Sequence, residues 1–457
     1  MKIEQLYTKC LAEATYYITS DGEAAIIDPL RETQPYLEML KADKGSLKYI
    51  FLTHFHADFV SGHVDLAKIT GAQIVFGPTA KADFEFYQGH DDENFRLGQV
   101  TLRLLHTPGH TLESSSYLLF DEKGKEYCLF SGDTIFIGDV GRPDLAVTST
   151  ISKENLAAKL YESIQEKVLK LPDDIIIYPN HGKGSACGKN MSNKRYDTLR
   201  HQKKVNYALD PSLSQEEFVK QVLEGLTSPP QYFSKNAKMN TQINKNVNQI
   251  INDGTTPISI SNYIQYALQN SVLLLDVRSA EMFAEKHIPN SLFIGLEGNF
   301  APWVGLLIEN INQAIVIVAP NGKEQETVTR LSRIGFDNVI GYIKDGVEAW
   351  EDKGFEIESV SNIALKPNES INASSIIDVR RKDEYEDNHV KEAINFPLNS
   401  IFSTYNTLNK ASEYYVYCAG GYRSIIAISI LKRLGFNKLI NLKGGFLQIL
   451  KSKTPLN

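Results

Sequence analysis

The stretch "THFHADFVSGH", residues 53–63, sets His54, His56 and Asp58 on alternate positions. Three later segments end an apolar run on the same kinds of side chain: "TPGHT" with His110, "SGDT" with Asp133 and "YPNHG" with His181. Imidazole and carboxylate together suit a divalent transition metal, and loops at strand ends hold such ligands preorganised. Phe59, the residue after Asp58, cannot ligate. His63, His90, His106 and His201 read as ordinary surface or core histidines.

A second constellation lies near the C-terminus. In "YYVYCAGGYRSIIAISILKRLG" an apolar strand runs into Cys418, and a helix is expected from about Ser424. Gly420 and Gly421 allow unusual backbone angles, so the loop from Cys418 to Arg423 can be compact. Its N–H groups can turn inward around the sulfur. The helix N-terminus and the charge of Arg423 then favour thiolate over thiol. A thiolate so placed can attack a sulfane sulfur and carry it as a persulfide. Cys187 sits in a third polar loop, "GKGSACGKNMSNKRY". Lys183 and Lys189 would lower its pKa and make it a candidate persulfide acceptor, against the equal alternative of a bystander thiol.

These side chains need a scaffold of strands that stop at polar loops. "AAIIDP", "LKYIFLTH", "VTLRLLHTPGH", "EYCLFSGD" and "DIIIYPNHG" have that character. "VDLAKITGA" reads as a helix ended by glycine. "SKENLAAKLYESIQEKVLKL" is amphipathic, with Leu156, Leu160, Ile164, Val168 and Leu171 on one stripe. Residues 227–257 are polar and Asn-rich and read as tail and linker. The rest of the chain is duplicated. "LLLDVRSAEMFAEKHIPNS" in the first copy corresponds to "IIDVRRKDEYEDNHVKEA" in the second, both with "DVR" and a histidine eleven residues after the aspartate. "AIVIVAPNGKEQ" (from 314) aligns without a gap on "YYVYCAGGYRSI" (from 414), so Val318 stands opposite Cys418 and Lys323 opposite Arg423. The first copy therefore lacks a nucleophile. Its Asp276 and Arg278 read as a buried ion pair kept for the fold. The expected division is 1–245 (with 226–257 as tail and linker), 256–357 and 363–457, a multidomain α/β chain whose two repeats carry parallel sheets.

With 457 residues, 42% hydrophobic and 23% charged, the chain can bury several cores. A net charge of −7 argues against a nucleic-acid or anionic-membrane partner. No apolar run of spanning length and no leader pattern is seen. The four cysteines form no CxxC pair, which points to a reducing cytoplasm.

The four metal-site loops resemble the metallo-β-lactamase-fold superfamily, which implies an αββα sandwich. In its two-metal hydrolases the motif is HxHxDH, and the last histidine binds the second metal. Phe59 stands there in this chain, which weakens a dinuclear hydrolytic reading. The site is similar to that of the persulfide dioxygenases, a branch of the superfamily. That resemblance implies one Fe(II) per chain on His54, His110 and Asp133, with His56, Asp58 and His181 orienting ligands and water. Spacing alone does not choose between His54 and His56. The resemblance also places Arg142, in "GDVGRPDL", near the thiol substrate. Lys183 stands where relatives specialised for glutathione persulfide carry a tyrosine. The Cys418 loop and "DVR" (Asp378, Arg380) with His389 resemble the rhodanese sulfurtransferases. Gly420, Gly421, Tyr422 and Arg423 would then meet the sulfur substrate. Dual-specificity phosphatases have one more residue between Cys and Arg, so the shorter loop favours sulfur transfer. The whole chain is thus similar to bacterial persulfide dioxygenase–sulfurtransferase fusions. The implied partners are a low-molecular-weight thiol persulfide, O2 and sulfite, in a homo-oligomer, a dimer or tetramer. Two alternatives stand: a zinc-dependent hydroxyacylglutathione-type thioester hydrolase with a sulfurtransferase tail, and a non-enzymatic persulfide carrier or sensor.

Overall fold

The computed structural model describes residues 1–457 except 270 and 372–374. The chain divides into two compact units, Met1–Asn248 with Ser332–Gly335, and Gln249–Leu331 with Phe336–Asn457.

The first unit holds two six-stranded sheets. One runs in the order Lys2–Thr8, Glu13–Ser20, Glu23–Ile27, Ser46–Phe51, Gln73–Phe76, Tyr87–Gln88; the other in the order Asp197–Thr198, Ile176–Pro179, Glu126–Gly132, Ser115–Phe120, Val100–His106, Asn94–Leu97. Tyr16, Ile18, Phe51 and Val75 of the first sheet pack on Leu102, Leu104, Tyr117 and Phe130 of the second. Helices Gln34–Asp43 and His63–Thr70 supply Leu40 and Leu66 to the outer face of the first sheet. Helices Lys153–Ser163 and Gln215–Leu223 cover the second sheet with Leu160, Phe218 and Val222. The expected αββα sandwich is what forms.

Local signals explain the helix ends. Gly71 closes helix His63–Thr70 in the left-handed conformation, φ 75°. Ser152 and Asn155 form a reciprocal cap that starts Lys153–Ser163. The apolar stripe of that helix continues through a π-helical turn, Ile164–Val168, and both of those residues are buried. The Asn-rich stretch 227–257, read as tail and linker, holds the boundary between the two units at 248/249. It contains helices Tyr232–Asn240 and Val247–Gly254, and Asn236 and Asn240 are buried. Asn240 hydrogen-bonds inside the protein, a role that composition alone cannot distinguish from a solvated asparagine.

The second unit contains two five-stranded parallel sheets of identical order. The first is Pro257–Ile258, Val339–Ile343, Ala314–Val318, Val272–Asp276, Leu292–Phe293. The second is Ser361–Ile363, Leu439–Leu442, Tyr414–Tyr417, Ile376–Asp378, Ile394–Asn395. The duplication seen in the sequence is thus a duplication of fold. The two "DVR" ion pairs are near copies: Arg Nη2 to Asp Oδ2 is 2.6 Å for Arg278–Asp276 and for Arg380–Asp378. Phe293 N–H donates to Ser429 Oγ at 3.1 Å, and Tyr422 Oη donates to the Gly295 carbonyl at 2.8 Å, so the repeats are stitched together. Among the described residues no helix is long and apolar enough to cross a membrane.

Candidate active sites

In the first unit, the ends of strands and the loops after them bring the metal-type side chains to one buried place. His54, His110 and Asp133 offer one ligand atom each, all within 4.8 Å of one another. Asp133 Oδ2 lies 3.4 Å from His110 Nε2 and 3.9 Å from His54 Nε2. The ring orientations are set from behind. His110 Nδ1 donates to the Arg142 carbonyl at 2.8 Å. Thr53 Oγ1 donates to Asp28 Oδ2, so it accepts from His54 Nδ1 at 2.9 Å. Both bonds leave Nε2 as a bare lone pair facing Asp133. Both Asp133 oxygens are buried without a hydrogen-bond donor. An ionised carboxylate stripped of donors is costly unless a cation stands beside it. The residues therefore fit a metal ion, as a two-imidazole, one-carboxylate set with open positions.

His56 is placed differently. Its Nε2 lies 2.9 Å from Asp28 Oδ1, and its ring stacks on Phe59 with centroids 4.3 Å apart. Asp28 also accepts from Thr53 N–H and Asn180 Nδ2, so one carboxylate ties three loops together. Burial works against a charged His56, but Asp28 outweighs it and the pKa is raised. His54 is pushed the other way, first by burial and then by the imidazoles of His56, His110 and His181.

Asp58 and His181 belong to a second cluster with Cys187, again with donor atoms within 4.8 Å of one another. His181 Nε2 is 3.5 Å from Asp58 Oδ2 and 3.6 Å from Asp133 Oδ1. His181 Nε2 and both Asp58 oxygens are buried without hydrogen bonds. Cys187 is also buried, and burial, Asp58 and Asp133 push its thiol well up. The lysines nearby in sequence do not counter this: Lys189 Nζ donates to the carbonyls of Gln221 and Glu224. In space, Cys187 has carboxylates as neighbours, and a thiolate there would need a cation.

Arg142 is 3% exposed. Its guanidinium donates to both oxygens of Asp144 and to the carbonyls of Ala186 and Thr227. Its N–H donates to the Cys187 carbonyl and its own carbonyl holds His110. The structure thus places Arg142 as a clamp between the His110 loop and the Cys187 loop, with its donors engaged inside the protein. Of the histidines outside the metal-type loops, His63 is buried against the rings of Phe76 and Phe84, and His106 bonds the Leu112 carbonyl. His201 bonds Asp197, and His90 is exposed.

Two residues outside the motifs help to hold them. Asp28 is one, through its bonds to Thr53 and Asn180. Asn240 donates from Nδ2 to the carbonyls of His56 and Phe59, each at 2.7 Å, and accepts from Ser61 N–H at 2.8 Å. It fixes the 53–63 loop from 180 residues away in sequence. The "DP" closing a strand was a legible hint for Asp28; no local signal marks Asn240.

In the second unit, Cys418 ends strand Tyr414–Tyr417 and is 1% exposed. Gly421 N–H donates to its sulfur at 3.1 Å, and Ser424 Oγ lies 3.7 Å away. Ser424 in turn donates to Asn441 Oδ1 at 2.7 Å. Gly421 has φ 103° and caps helix Tyr422–Arg433, which begins two residues earlier than expected. Gly420 has no positive φ, so only Gly421 needs to be glycine for its backbone. Arg423 does not stand free beside the sulfur: Nη1 and Nη2 donate to Glu384 at 2.6 and 2.8 Å. The ion pair offsets its charge, and the group that meets the sulfur directly is the Gly421 N–H. Cys418, Arg423 and Glu384 share a cavity of about 530 Å³, and Asn299 and Trp303 of the other repeat form part of its wall. The repeat without a nucleophile thus helps to enclose the nucleophile of its neighbour.

These features agree with what the chain is similar to. The metallo-beta-lactamase superfamily model matches residues 9–181, and the rhodanese-like domain model matches 263–353 and 363–452. Human mitochondrial persulfide dioxygenase ETHE1 is 31% identical over 222 residues, 48% of this chain and 79% of that protein. A hydroxyacylglutathione hydrolase from Tolumonas auensis is 32% identical over 170 residues, 36% of this chain and 60% of that protein. A crystal structure titled as a metallo-beta-lactamase from Staphylococcus aureus subsp. aureus COL superposes with a TM-score of 0.66 at 30% identity, covering 75% of this chain and 98% of that one. The chain belongs to the persulfide dioxygenase family of the metallo-β-lactamase superfamily and carries two rhodanese-like domains after it.

Proposed function

We propose that the protein oxidises a low-molecular-weight thiol persulfide with O2 to sulfite and passes a second sulfane sulfur to that sulfite, giving thiosulfate. The observation that carries this reading is the convergence of His54, His110 and Asp133 with bare donor atoms in a chain that also holds the Cys418 loop. The persulfide dioxygenase relative and the rhodanese matches support it. His54, His110 and Asp133 would hold one Fe(II) per chain, which would supply O2 activation.

The protein's own residues orient and enclose. Thr53 and the Arg142 carbonyl keep the two imidazoles in the ligating tautomer. Asp28 and Asn240 hold the loop that carries His54. At the second site the Cys418 thiolate takes the outer sulfur of RSSH and releases RSH. Sulfite then attacks the outer sulfur of the cysteine persulfide, the S–S bond breaks, and thiosulfate leaves with the thiolate restored. No outside oxidant or reductant is needed for this transfer. The role is removal of persulfide derived from sulfide.

Anaerobic Fe(II) loading followed by oxygen-electrode assays with persulfide tests the first step, and absence of persulfide-dependent O2 uptake would sink it. In Cys418→Ser, sulfite is expected to accumulate while thiosulfate falls; unchanged thiosulfate would reject the role of Cys418.

One observation favours a second reading. Asp58, His181 and Cys187 form a further donor set despite Phe59, as a two-metal thioester hydrolase akin to the hydroxyacylglutathione hydrolases would require. Metal analysis separates the two: one iron per chain supports oxygenation, and two zinc ions support hydrolysis.

A further inference from the structure

The two repeats are a comparison built into the chain, because one keeps the fold and has lost the nucleophile. What survives in both belongs to the fold. The Asp–Arg pairs survive with matching geometry. So do His287 and His389, each bonded to the carbonyl four residues back at 2.8 Å and stacked on Phe283 or Tyr385. What is missing from the first repeat belongs with the chemistry. Val318 replaces Cys418 and Lys323 replaces Arg423. Glu324 stands opposite Ser424 and Gly341 opposite Asn441 in the same gapless register. With Asp276 set on Asp378, Met282 stands opposite Glu384. Glu384 is thus absent from the first repeat together with the cysteine and the arginine, and besides meeting Arg423 it accepts from Arg381 N–H at the start of its own helix.

Its geometry says what it does there. Glu384 grips Arg423 end-on, one carboxylate oxygen to each Nη. That leaves Nε–H and the remaining Nη hydrogens of the guanidinium undirected toward Glu384, on a side chain that lines the Cys418 cavity. Arg423 first, through these bonds, holds the Glu384 carboxyl at about 2, so it is ionised at any working pH. A small oxyanion arriving at Cys418 therefore meets a guanidinium that already has a carboxylate partner.

We propose that Glu384 is a counter-anion of the sulfur-acceptor site: it holds Arg423 oriented in the cavity and competes with the oxyanion for its charge, so that anionic product is released rather than retained. This rests on the reading that Cys418 hands sulfur to sulfite. Both the acceptor and the product are oxyanions, so an unopposed arginine would hold the product as well as the acceptor. The partial neutralisation by Glu384 weakens both and favours turnover.

The test compares full-length, iron-loaded wild type with Glu384→Gln, which keeps one acceptor oxygen for Arg423 and removes the charge. Glu384→Met is the second variant, since Met282 occupies that place in a repeat that folds. The probes are sulfite and, as an unreactive analogue, sulfate, titrated calorimetrically onto protein with Cys418 unloaded. Glu384→Gln is expected to bind both about tenfold tighter. Its KM for sulfite should fall by a similar factor, thiosulfate should become a stronger product inhibitor, and kcat should fall. Glu384→Asp, which keeps the charge, should stay close to wild type in KM. Unchanged or weaker sulfite binding in both Glu384→Gln and Glu384→Met would overturn the proposal, since that is what a purely structural or orienting glutamate gives. Should wild type form no thiosulfate, the parent reading fails, while the binding comparison still reports on Glu384.

Discussion

Gly141 offers a direct test of how the metal-site geometry is set. A Cβ at this position would lie 2.0 Å from the Asp133 carbonyl oxygen and 3.1 Å from His110 Nδ1. Gly141 has no positive φ, so alanine fits its backbone angles and only space is at issue. An ordinary contact with a carbonyl oxygen needs about 3.4 Å, so the backbone of Asp133 and that of Gly141 must separate by more than about 1 Å. Both bear on the site: Asp133 is one of the three side chains that could hold the metal, and the next carbonyl after Gly141, that of Arg142, holds the His110 ring. Overpacking of this kind costs about 1–3 kcal/mol of stability. In a unit of this size that is a fall in Tm of about 2–12 °C. The effect on metal should be larger in proportion, because ligand sets tolerate about 0.5 Å of displacement. Gly141→Ala is expected to bind Fe(II) about 10–100-fold more weakly while remaining folded. Anaerobic titration of Fe(II) against a competing chelator, with a thermal melt on the same sample, measures both quantities. Wild-type Fe(II) affinity together with a lowered Tm would refute the reasoning, because it would show that the Asp133–Gly141 approach does not position the ligands.

Phe59→His should raise the metal count toward two per chain in elemental analysis; an unchanged count would mean that the Asp58, His181 and Cys187 set, not Phe59, decides it. Gly421→Ala should cut sulfur transfer strongly, since φ 103° is strained for alanine and its N–H supports the Cys418 sulfur. Gly420→Ala meets nothing within 4 Å and should keep the loop geometry, so equal losses in the two variants would refute this account. His287 is depressed to about 4, chiefly by burial, so the unfolded chain binds a proton more readily between about pH 6.5 and 4. Stability from this group is present above pH 6.5 and lost as pH falls toward 4, by about 3 kcal/mol. Acid melts of His287→Phe should lack that component, and an identical pH dependence in both proteins would count against it.

The metal-type loops and the silent repeat were legible because their signals are local: ligands close short apolar runs, and a valine aligns on a cysteine without a gap. The αββα sandwich followed from the family resemblance those loops carry. What was not legible depends on contacts across long sequence separations. Asn240 reaches back to His56 and Phe59, and the composition of its segment suggested only a linker. Cys187 has lysines beside it in the chain but buried carboxylates beside it in space, which reverses the expected direction of its pKa. Arg423 looked like a free charge because Glu384 lies 39 residues earlier, in the first turn of another helix. In each case chain proximity suggested one electrostatic neighbour and the fold supplied another.

The stitching of the two repeats makes the first a structural wall of the second. A Cβ on Gly298 would lie 2.2 Å from Tyr422 Cζ, and Tyr422 Oη is anchored on the Gly295 carbonyl. The first repeat is therefore held to the shape that its neighbour requires, whatever residues stand in its own loop. Restoring a cysteine at 318 alone would not revive it, because the arginine, serine, asparagine and glutamate partners have gone as well. Asn299 and Trp303 wall the Cys418 cavity, so removing the first repeat would open the site of the second.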